Sequence, residues 1–182
     1  VGKDPDILPT FDADVAAYIR KLLEAKGVTF RLGGVVESFS GRPGAVTTHL
    51  KTREGSLAIE AEQACLAVGR RFNPARLGAE GLGLELGGLG LKVTSYLRSS
   101  RPHIYAAGDA AGNHQLTPTA AYEGKLAALN ALKGDVREAD YSVVPQTIFT
   151  TPEVGRVGLT HAEAQRRGVK CHVVTHDMRG AS

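Results

Sequence analysis

Apolar residues near the start of the chain recur at helical spacing. Four of them fall on one face of a helix over residues 10–27, namely Val15, Ile19, Leu22 and Leu23. Asp12 stands where an N-cap residue is favoured, and Gly27 follows the last apolar position, where glycine commonly ends a helix. The pattern therefore predicts an amphipathic helix between these two residues.

After Gly27 the apolar pattern changes to short runs of strand length. One run covers residues 28–32, and three more cover 35–39, 45–52 and 56–61. Turns that contain Gly and Pro, or Glu and Gly, separate the last three runs. This arrangement predicts a first strand followed by an antiparallel meander.

A continuous apolar run over residues 64–68 ends at Gly69. Such a run is typical of a parallel strand that is buried on both faces. Cys65 lies within it, and Cys171 lies in a further predicted strand over 169–176. The two cysteines are far apart and have no C-x-x-C spacing, so we expect buried thiols and no disulfide framework.

The stretch IYAAGDAAGNHQLTPTAAYEG combines a strand, a loop and the start of a helix. Residues 104–107 form the apolar strand, which stops at Gly108 and Asp109. Thr117 is a favoured N-cap residue, and Pro118 is tolerated at the first helical position because no N–H is needed there. This pattern predicts a strand edge and a helix start that face the same ligand.

The chemistry of this stretch suits an elongated polar ligand. The carboxylate of Asp109 can accept hydrogen bonds from sugar or polyol hydroxyls, while the helix start offers free N–H groups to an anionic group. The alternative is an ordinary strand–loop–helix in which Thr117 only caps the helix. Gly134 ends the helix near Lys133, and Gly124 within it costs ~1 kcal/mol against Ala, so we expect close packing there.

The last part of the chain alternates again between strands and a helix. Residues 145–151 and 154–159 are predicted strands. Thr160 and Glu163 have the spacing of a capping box, and Gly168 is placed to close the helix that they begin.

Composition excludes several functional classes. Of 182 residues, 42% are hydrophobic and 23% charged, which is ordinary for a soluble globular protein. The net charge of +3 contains no Lys/Arg run, which argues against nucleic acid and membrane partners. Apolar runs are far shorter than the ~20 residues of a membrane helix. No metal-ligand spacing is found among His161, His172 and His176. Both chain ends resemble cuts in a longer protein.

Three stretches together resemble the pyridine nucleotide-disulfide oxidoreductases, the family of glutathione reductase, lipoamide dehydrogenase and mercuric reductase. They are LAVGRRFNPARLG, the stretch described above and VPQTIFTTPEVGRVGLTHAEAQRRG. The resemblance implies an α/β fold: a partial two-domain FAD/NAD(P)-binding Rossmann-like fold, plus the start of an α+β dimer-interface domain. The implied boundaries are 1–76 for the C-terminal half of the NAD(P)-binding domain, 77–140 for the C-terminal segment of the FAD-binding domain and 141–182 for the start of the dimerisation domain.

The resemblance also implies a set of cofactor-binding residues. In the family the aspartate of the Gly-Asp pair holds the ribitol or a nearby phosphate of FAD, and the helix start directs its N–H groups at the pyrimidine end of the flavin. The flavin set here is Gly108, Asp109, Gln115, Leu116 and Thr117, and the nicotinamide nucleotide set is Gly69, Arg70 and Lys3. A solvated arginine at a strand end remains an equal alternative for Arg70.

One element of a dinucleotide site is missing from the chain. No G-x-G-x-x-G occurs, although such a turn is needed to cradle a pyrophosphate. The glycines of residues 78–91 have the wrong spacing for it, and we interpret them as a flexible connection.

The activity implied for the parent protein is electron transfer. NAD(P)H would pass electrons through FAD to a redox-active cysteine pair and then to a substrate, in a cytoplasmic homodimer. The family's C-x-x-x-x-C pair and its acid/base His-Glu pair do not occur here, so no catalytic residue is assigned and we expect the 182-residue chain alone to be inactive. The alternatives are a non-catalytic structural or dimerisation module, or a related flavin-dependent NADH oxidase without the disulfide.

We predict that the parent enzyme prefers NADH or has only a modest preference for NADPH. Alignment on the family places the acidic NAD position at Gly2 and the two NADP arginine positions at Lys3 and Pro9. One exposed Lys–phosphate contact contributes ~1 kcal/mol, about fivefold, and lacks the bidentate geometry of arginine. Steady-state kinetics with both nucleotides test this, and a several-hundredfold preference for NADPH would contradict it.

Overall fold

The structure is a computed structural model that describes residues 1–78 and 81–176. These residues form two compact units. One consists of Val1–Ala67 and the segment from Leu159 onward, and the other of Val68–Gly158. The helices and strands are α1 (Ala13–Ala25), β1 (Val35–Arg42), β2 (Ala45–Thr52), β3 (Gly55–Ala61), α2 (Thr117–Lys133), β4 (Gln146–Ile148), β5 (Val154–Arg156) and α3 (His161–Arg166).

Helix α1 confirms the prediction for residues 10–27. Ala16 and Ile19 are buried on its inner face. Asp12 is the N-cap residue, but its side chain does not cap the helix. Its carboxylate instead accepts a hydrogen bond of 2.8 Å from the backbone N–H of His161, the first residue of α3. The predicted cap residue therefore connects two helices of the same unit.

The predicted antiparallel meander is present as the sheet β1-β2-β3. Leu50 in the central strand is 1% exposed and forms the inner contact of this sheet. It pairs with Val36 on one side and Leu57 on the other. The register shifts between Val36 and Ser38, which is a bulge in the outer strand.

The predicted strand over residues 28–32 is reduced to a single parallel bridge. Leu32 pairs with Gly2, whose N–H donates to the carbonyl of Arg31 at 2.9 Å. The carbonyl of Gly2 accepts in turn from the N–H of Gly34 at 3.2 Å. Parallel pairing thus begins here, but it extends over too few residues to form a strand.

The prediction of a buried parallel strand over residues 64–68 is wrong. This segment has no strand structure, and Leu66 and Val68 are 67% and 86% exposed. Both cysteines are also exposed, and the segment 169–176 forms no strand. A parallel strand is buried only when neighbouring strands and helices cover it. Within residues 1–78 and 81–176 no strand pairs with either segment.

The core of the second unit consists of two small apolar clusters. The first is built on Leu91, Ala106 and Ala111, and the second on Leu97, Leu126 and Ala127. The segment 104–107 lies between them and contributes Ala106 to the first cluster and Tyr105 to the second. Its predicted strand is reduced to one antiparallel bridge between Tyr105 and Arg98.

Helix α2 begins one residue earlier than its predicted cap implies. Leu116 is the N-cap residue and is extended, whereas Thr117 is already helical. Gly124 faces open space, with no atom within 4 Å of a Cβ added there, so the expected close packing at Gly124 is wrong. The buried face of the helix consists of Thr119, Glu123, Leu126, Ala127 and Asn130.

The glycine-rich segment is an ordered part of the second unit, and its interpretation as a flexible connection is wrong for the residues described. The Leu91 N–H donates to the carbonyl of Ala110 at 2.7 Å, and the Phe72 N–H donates to the carbonyl of Leu89 at 3.2 Å. A Cβ on Gly90 would overlap the carbonyl of Ala110 and lie 2.7 Å from the nitrogen of Gly112. Residues 79 and 80 lie outside the described residues.

The end of the chain follows its predicted pattern over part of its length. Strands β4 and β5 pair antiparallel, although both are shorter than predicted. Thr160 and Glu163 form the predicted capping box, with the Glu163 N–H donating to Thr160 Oγ1 at 3.1 Å. Over the part of the chain that the structure describes, no helix has the length and apolar character needed to cross a membrane.

We predict that Gly90→Ala destabilises the protein, whereas Gly88→Ala does not. The added methyl group at Gly90 meets backbone atoms that cannot move aside as a flexible side chain could, which costs about 1–3 kcal/mol. The same methyl group at Gly88 meets nothing within 4 Å, so this variant is the matched control. Unfolding midpoints of both variants in the full-length protein test the difference, and equal midpoints would contradict it.

Candidate functional site

The predicted flavin turn is a short 3-10 helix, Gly108–Ala110, that follows the segment 104–107. Gly108 is buried and has φ +64°, a conformation that favours glycine. A Cβ added to it would lie 3.0 Å from the Cβ of Ala120 on α2. Glycine therefore allows the turn to pack against the helix, and this packing leaves the side chain of Asp109 half-exposed beside it.

The first turn of α2 presents backbone donors next to Asp109. The N–H groups of Thr117 and Thr119 lie in the first turn of the helix, where no helix carbonyl is placed to accept from them. Leu116 is held in place because its N–H donates to the carbonyl of His114 and its own carbonyl accepts from Ala120, both at 2.9 Å. The helix start therefore combines free donors with the positive end of a helix dipole.

Arg70 connects the segment after Val68 to this turn. Its guanidinium lies 3.1 Å from Oδ2 of Asp109 and donates to the backbone carbonyl of Gln115 at 2.8 Å. The two side chains of the ion pair are 66% and 50% exposed. Arg70 thus neutralises Asp109 and fixes the residue before the helix cap, which sequence reasoning did not predict.

These groups line one cavity of about 490 Å³ in the second unit. Asp109 and Arg70 contribute charge, the α2 start contributes its N-terminal residues, and Phe149 next to β4 contributes an apolar surface. The cavity lining includes five of the predicted cofactor residues, namely Arg70, Asp109, Gln115, Leu116 and Thr117. The structure therefore brings most of the predicted set together in one place.

The remaining predicted residues lie elsewhere. Gly108 is buried behind the turn, and Gly69 has φ +113° with no atom within 4 Å of an added Cβ. Lys3 belongs to the first unit, where it lines a cavity of about 860 Å³ together with Arg31 and Arg53. The three basic side chains outnumber the one acidic residue of the lining, Glu54, and this excess of positive charge suits an anionic ligand.

A buried carboxylate that sequence reasoning missed supports the flavin turn from behind. Glu123 of α2 is 0% exposed and accepts hydrogen bonds from the Gly108 N–H at 2.6 Å and the Tyr141 hydroxyl at 2.6 Å. Asn113 donates to the same carboxylate at 3.2 Å and to the Tyr141 oxygen at 2.9 Å. Burial, followed by the hydrogen bond to Glu123, raises the pKa of Tyr141, so its hydroxyl remains a donor at neutral pH.

A signal for Glu123 was present in the sequence. The residue falls at helical spacing from Thr119, Leu126 and Ala127, on the buried face of α2. A glutamate in such a stripe requires buried partners, since an unpaired charge in a core is costly. Within the described residues, no group of three or more His, Cys, Asp or Glu side chains could hold a metal ion.

Comparison with known proteins identifies the family. The profile of the pyridine nucleotide-disulphide oxidoreductases matches residues 1–124, and the profile of their dimerisation domain matches residues 144–182. This chain belongs to the pyridine nucleotide-disulphide oxidoreductase family.

Its curated relatives in this family include two kinds of reductase. A dihydrolipoyl dehydrogenase of Bacillus subtilis (strain 168) is 33% identical over 166 residues, which is 90% of this chain and 35% of the relative. A mercuric reductase of Bacillus cereus is 33% identical over 180 residues, which is 97% of this chain and 28% of the relative. The chain spans about a third of the length of the relatives that it matches.

Solved structures of the family share the fold. LpdA from Mycobacterium tuberculosis superposes with a TM-score of 0.80 at 28% identity, covering 92% of this chain and 36% of that protein. A Cu(II) complex of the HOCl-induced flavoprotein disulfide reductase RclA from Escherichia coli gives 0.77 at 27% identity, covering 91% and 38%. The chain therefore has the FAD/NAD-binding fold of flavoprotein disulfide reductases and the start of their dimerisation domain.

The cavity residues fit the flavin used by the pyridine nucleotide-disulphide oxidoreductases. Asp109 supplies an acceptor for hydroxyl groups, and the first turn of α2 supplies donors for carbonyl or anionic groups. Phe149 is 85% exposed, which leaves an aromatic surface free for a planar ring. Gly108 allows the backbone approach on which this arrangement depends.

We predict that Arg70→Ala changes the free energy of unfolding of the flavin-free protein by less than about 1 kcal/mol, because its ion pair is solvent-exposed. Arg98→Ala is the matched comparison. Arg98 lies 2.6 Å from the 20%-exposed carboxylate of Asp135, so its loss costs about 1–3 kcal/mol. The unfolding midpoints of both variants show which substitution lowers the free energy of unfolding more. A larger decrease for Arg70→Ala than for Arg98→Ala would contradict this prediction.

Proposed function

We propose that this chain is part of an FAD-dependent oxidoreductase that transfers electrons from NADH or NADPH through FAD to a redox-active cysteine pair and on to a substrate. The observation that carries the proposal is the single cavity that joins Asp109 to the start of α2. The family match over residues 1–124 supports it independently of this geometry. The cysteine pair and the acid/base histidine belong to parts of the family pattern outside these 182 residues.

The chain's own residues bind and orient the cofactor in this proposal. FAD, when bound, supplies the two-electron relay between nicotinamide and disulfide. Asp109 accepts a hydrogen bond from a flavin hydroxyl, and the N–H of Thr117 faces the pyrimidine end, whereas the N–H of Leu116 already donates to the carbonyl of His114. Arg70 exchanges part of its contact with Asp109 for contact with a cofactor, since its guanidinium has five donors and only part of them are used.

The first unit takes the nicotinamide nucleotide in this proposal. Lys3, Arg31 and Arg53 line its cavity, and their charges favour a nucleotide phosphate. Gly69, which the resemblance also assigns to this nucleotide, belongs to the second unit and has a positive φ. Arg31 and Arg53 are basic residues at this cavity that the sequence comparison did not consider, since the family's two NADP arginine positions fall on Lys3 and Pro9.

The domain boundaries proposed from the sequence are kept for the parent protein: 1–76, 77–140 and 141–182. The dimerisation-domain match over residues 144–182 supports the third of them and a homodimeric parent. We also propose a cytoplasmic location, which the free thiols of Cys65 and Cys171 fit, because exposed thiols persist in reducing compartments.

The full-length protein discriminates the proposal from its alternatives. A flavin absorbance spectrum, NADH oxidation and reduction of a disulfide acceptor are expected together. Flavin binding with electron transfer only to oxygen would favour an NADH oxidase. A colourless, dimeric protein would favour a structural module.

We predict that Asp109→Ala in the full-length protein weakens FAD binding by about 10- to 100-fold, because it removes a hydrogen bond to a charged acceptor. Asp14→Ala is the control, since this exposed carboxylate lies on α1 in the other unit and accepts from the Val15 N–H. FAD titration of the apoproteins measures both dissociation constants. Unchanged affinity in Asp109→Ala would remove Asp109 from the proposed site.

A further inference from the structure

The buried carboxylate of Glu123 has no place in the cofactor-binding set, yet its contacts surround that set. It binds Gly108, at the start of the loop that connects residues 104–107 to α2, and Asn113, near the end of this loop. Asp109 lies between them in the chain and pairs with Arg70 on the cavity side instead. The carboxylate thus holds both ends of a loop whose middle residue faces the cavity.

The third partner of Glu123 comes from a different part of the unit. Tyr141 lies after α2, in the segment that leads to β4, and its hydroxyl reaches the same carboxylate oxygen that Asn113 contacts. The Tyr141 ring also lies 4.9 Å from the ring of His114, measured between centroids. The backbone carbonyl of His114 in turn accepts from the N–H of Leu116, the N-cap residue of α2.

Each donor to Glu123 therefore belongs to a segment next to the cavity or contacts one. Gly108 and Asn113 lie in the loop before α2, and the Tyr141 ring contacts His114 of the same loop. Three donors converge on the two oxygens of one side chain, which accept all three hydrogen bonds. In a dry environment such hydrogen bonds are short and directional, as the two distances of 2.6 Å illustrate. Removal of the carboxylate takes this acceptor away from all three donors, at a position that is fully buried.

We propose that Glu123 is a positioning residue for FAD binding, and that Tyr141 transmits the position of the segment before β4 to the Gly108–Asp109 turn. The inference rests on the proposed flavin site. Glu123 does not touch the cavity but sets the backbone of Gly108, and through it the direction of the Asp109 carboxylate. Tyr141 makes the flavin turn sensitive to the chain segment that enters the region matched by the dimerisation domain.

The test uses the full-length protein with Glu123→Gln and Tyr141→Phe. The glutamine side chain of the first variant keeps the shape and one acceptor for the Gly108 N–H, but places a donor where Tyr141 and Asn113 donate. Glu85→Gln is the matched control for this variant, because Glu85 is exposed and pairs with Lys92 on the surface. Tyr18→Phe is the control for Tyr141→Phe, because Tyr18 lies on α1 in the first unit and is 53% exposed.

Two quantities are measured for each variant: the FAD dissociation constant of the folded apoprotein and the unfolding midpoint without FAD. We expect the FAD dissociation constant to rise about tenfold or more in Glu123→Gln and by a smaller factor in Tyr141→Phe. The double variant should bind FAD about as weakly as Glu123→Gln alone, since the two residues act as one unit. Both controls should stay within about twofold of the wild type.

A purely structural role gives a different pattern. The unfolding midpoints would then fall while the FAD dissociation constant of the folded fraction stayed within about twofold of the wild type, and this result would overturn the inference. Weak binding in Asp109→Ala together with unaffected binding in Glu123→Gln would overturn it while leaving the proposed function intact. Absence of FAD binding in the wild type would overturn the proposed function itself, and this inference with it.

Discussion

A carboxylate that is removed from water must be surrounded by hydrogen-bond donors, and this requirement organises the second unit of the protein. Glu123 meets it with a backbone N–H from the flavin turn, an amide from the loop after the turn and a hydroxyl from beyond α2. These donors come from two separate stretches, the loop that contains Gly108 and Asn113 and the segment after α2 that contains Tyr141. Their convergence ties the flavin turn to the segment after α2, because a shift of any one donor removes a hydrogen bond at a buried position.

Close backbone approach is the second constraint on the same wall. Gly108 allows the turn to contact Ala120 of α2, and Gly90 with Gly112 allows the segment before Leu91 to contact the loop after Asp109. Glycines thus allow the backbones of neighbouring segments to pack closely, while Glu123 accepts hydrogen bonds from the polar groups of these segments. Arg70 adds an exposed ion pair on the cavity side, which contributes little to stability and more to the charge that a ligand encounters.

Local patterns in the sequence predicted the elements whose partners are close in the chain. The meander 35–61 and the capping box at Thr160 depend on neighbours a few residues away, so their turns and periodicity were sufficient. The segment 64–68 has the composition of a central strand, but burial of such a strand depends on neighbours that periodicity does not identify. Family resemblance pointed to Asp109 and the start of α2, whereas the buried contacts of Glu123 depend on Gly108, Asn113 and Tyr141, which helical spacing does not identify.

The meander has a consequence for how the chain acquires its structure. Its strands are joined by tight turns, so its contacts have low sequence separation and can form as soon as these residues are available. The apolar segment that follows it, with Leu66 and Val68 exposed, has no such local partner among the described residues. Such an apolar segment favours association for as long as no other part of the protein covers it.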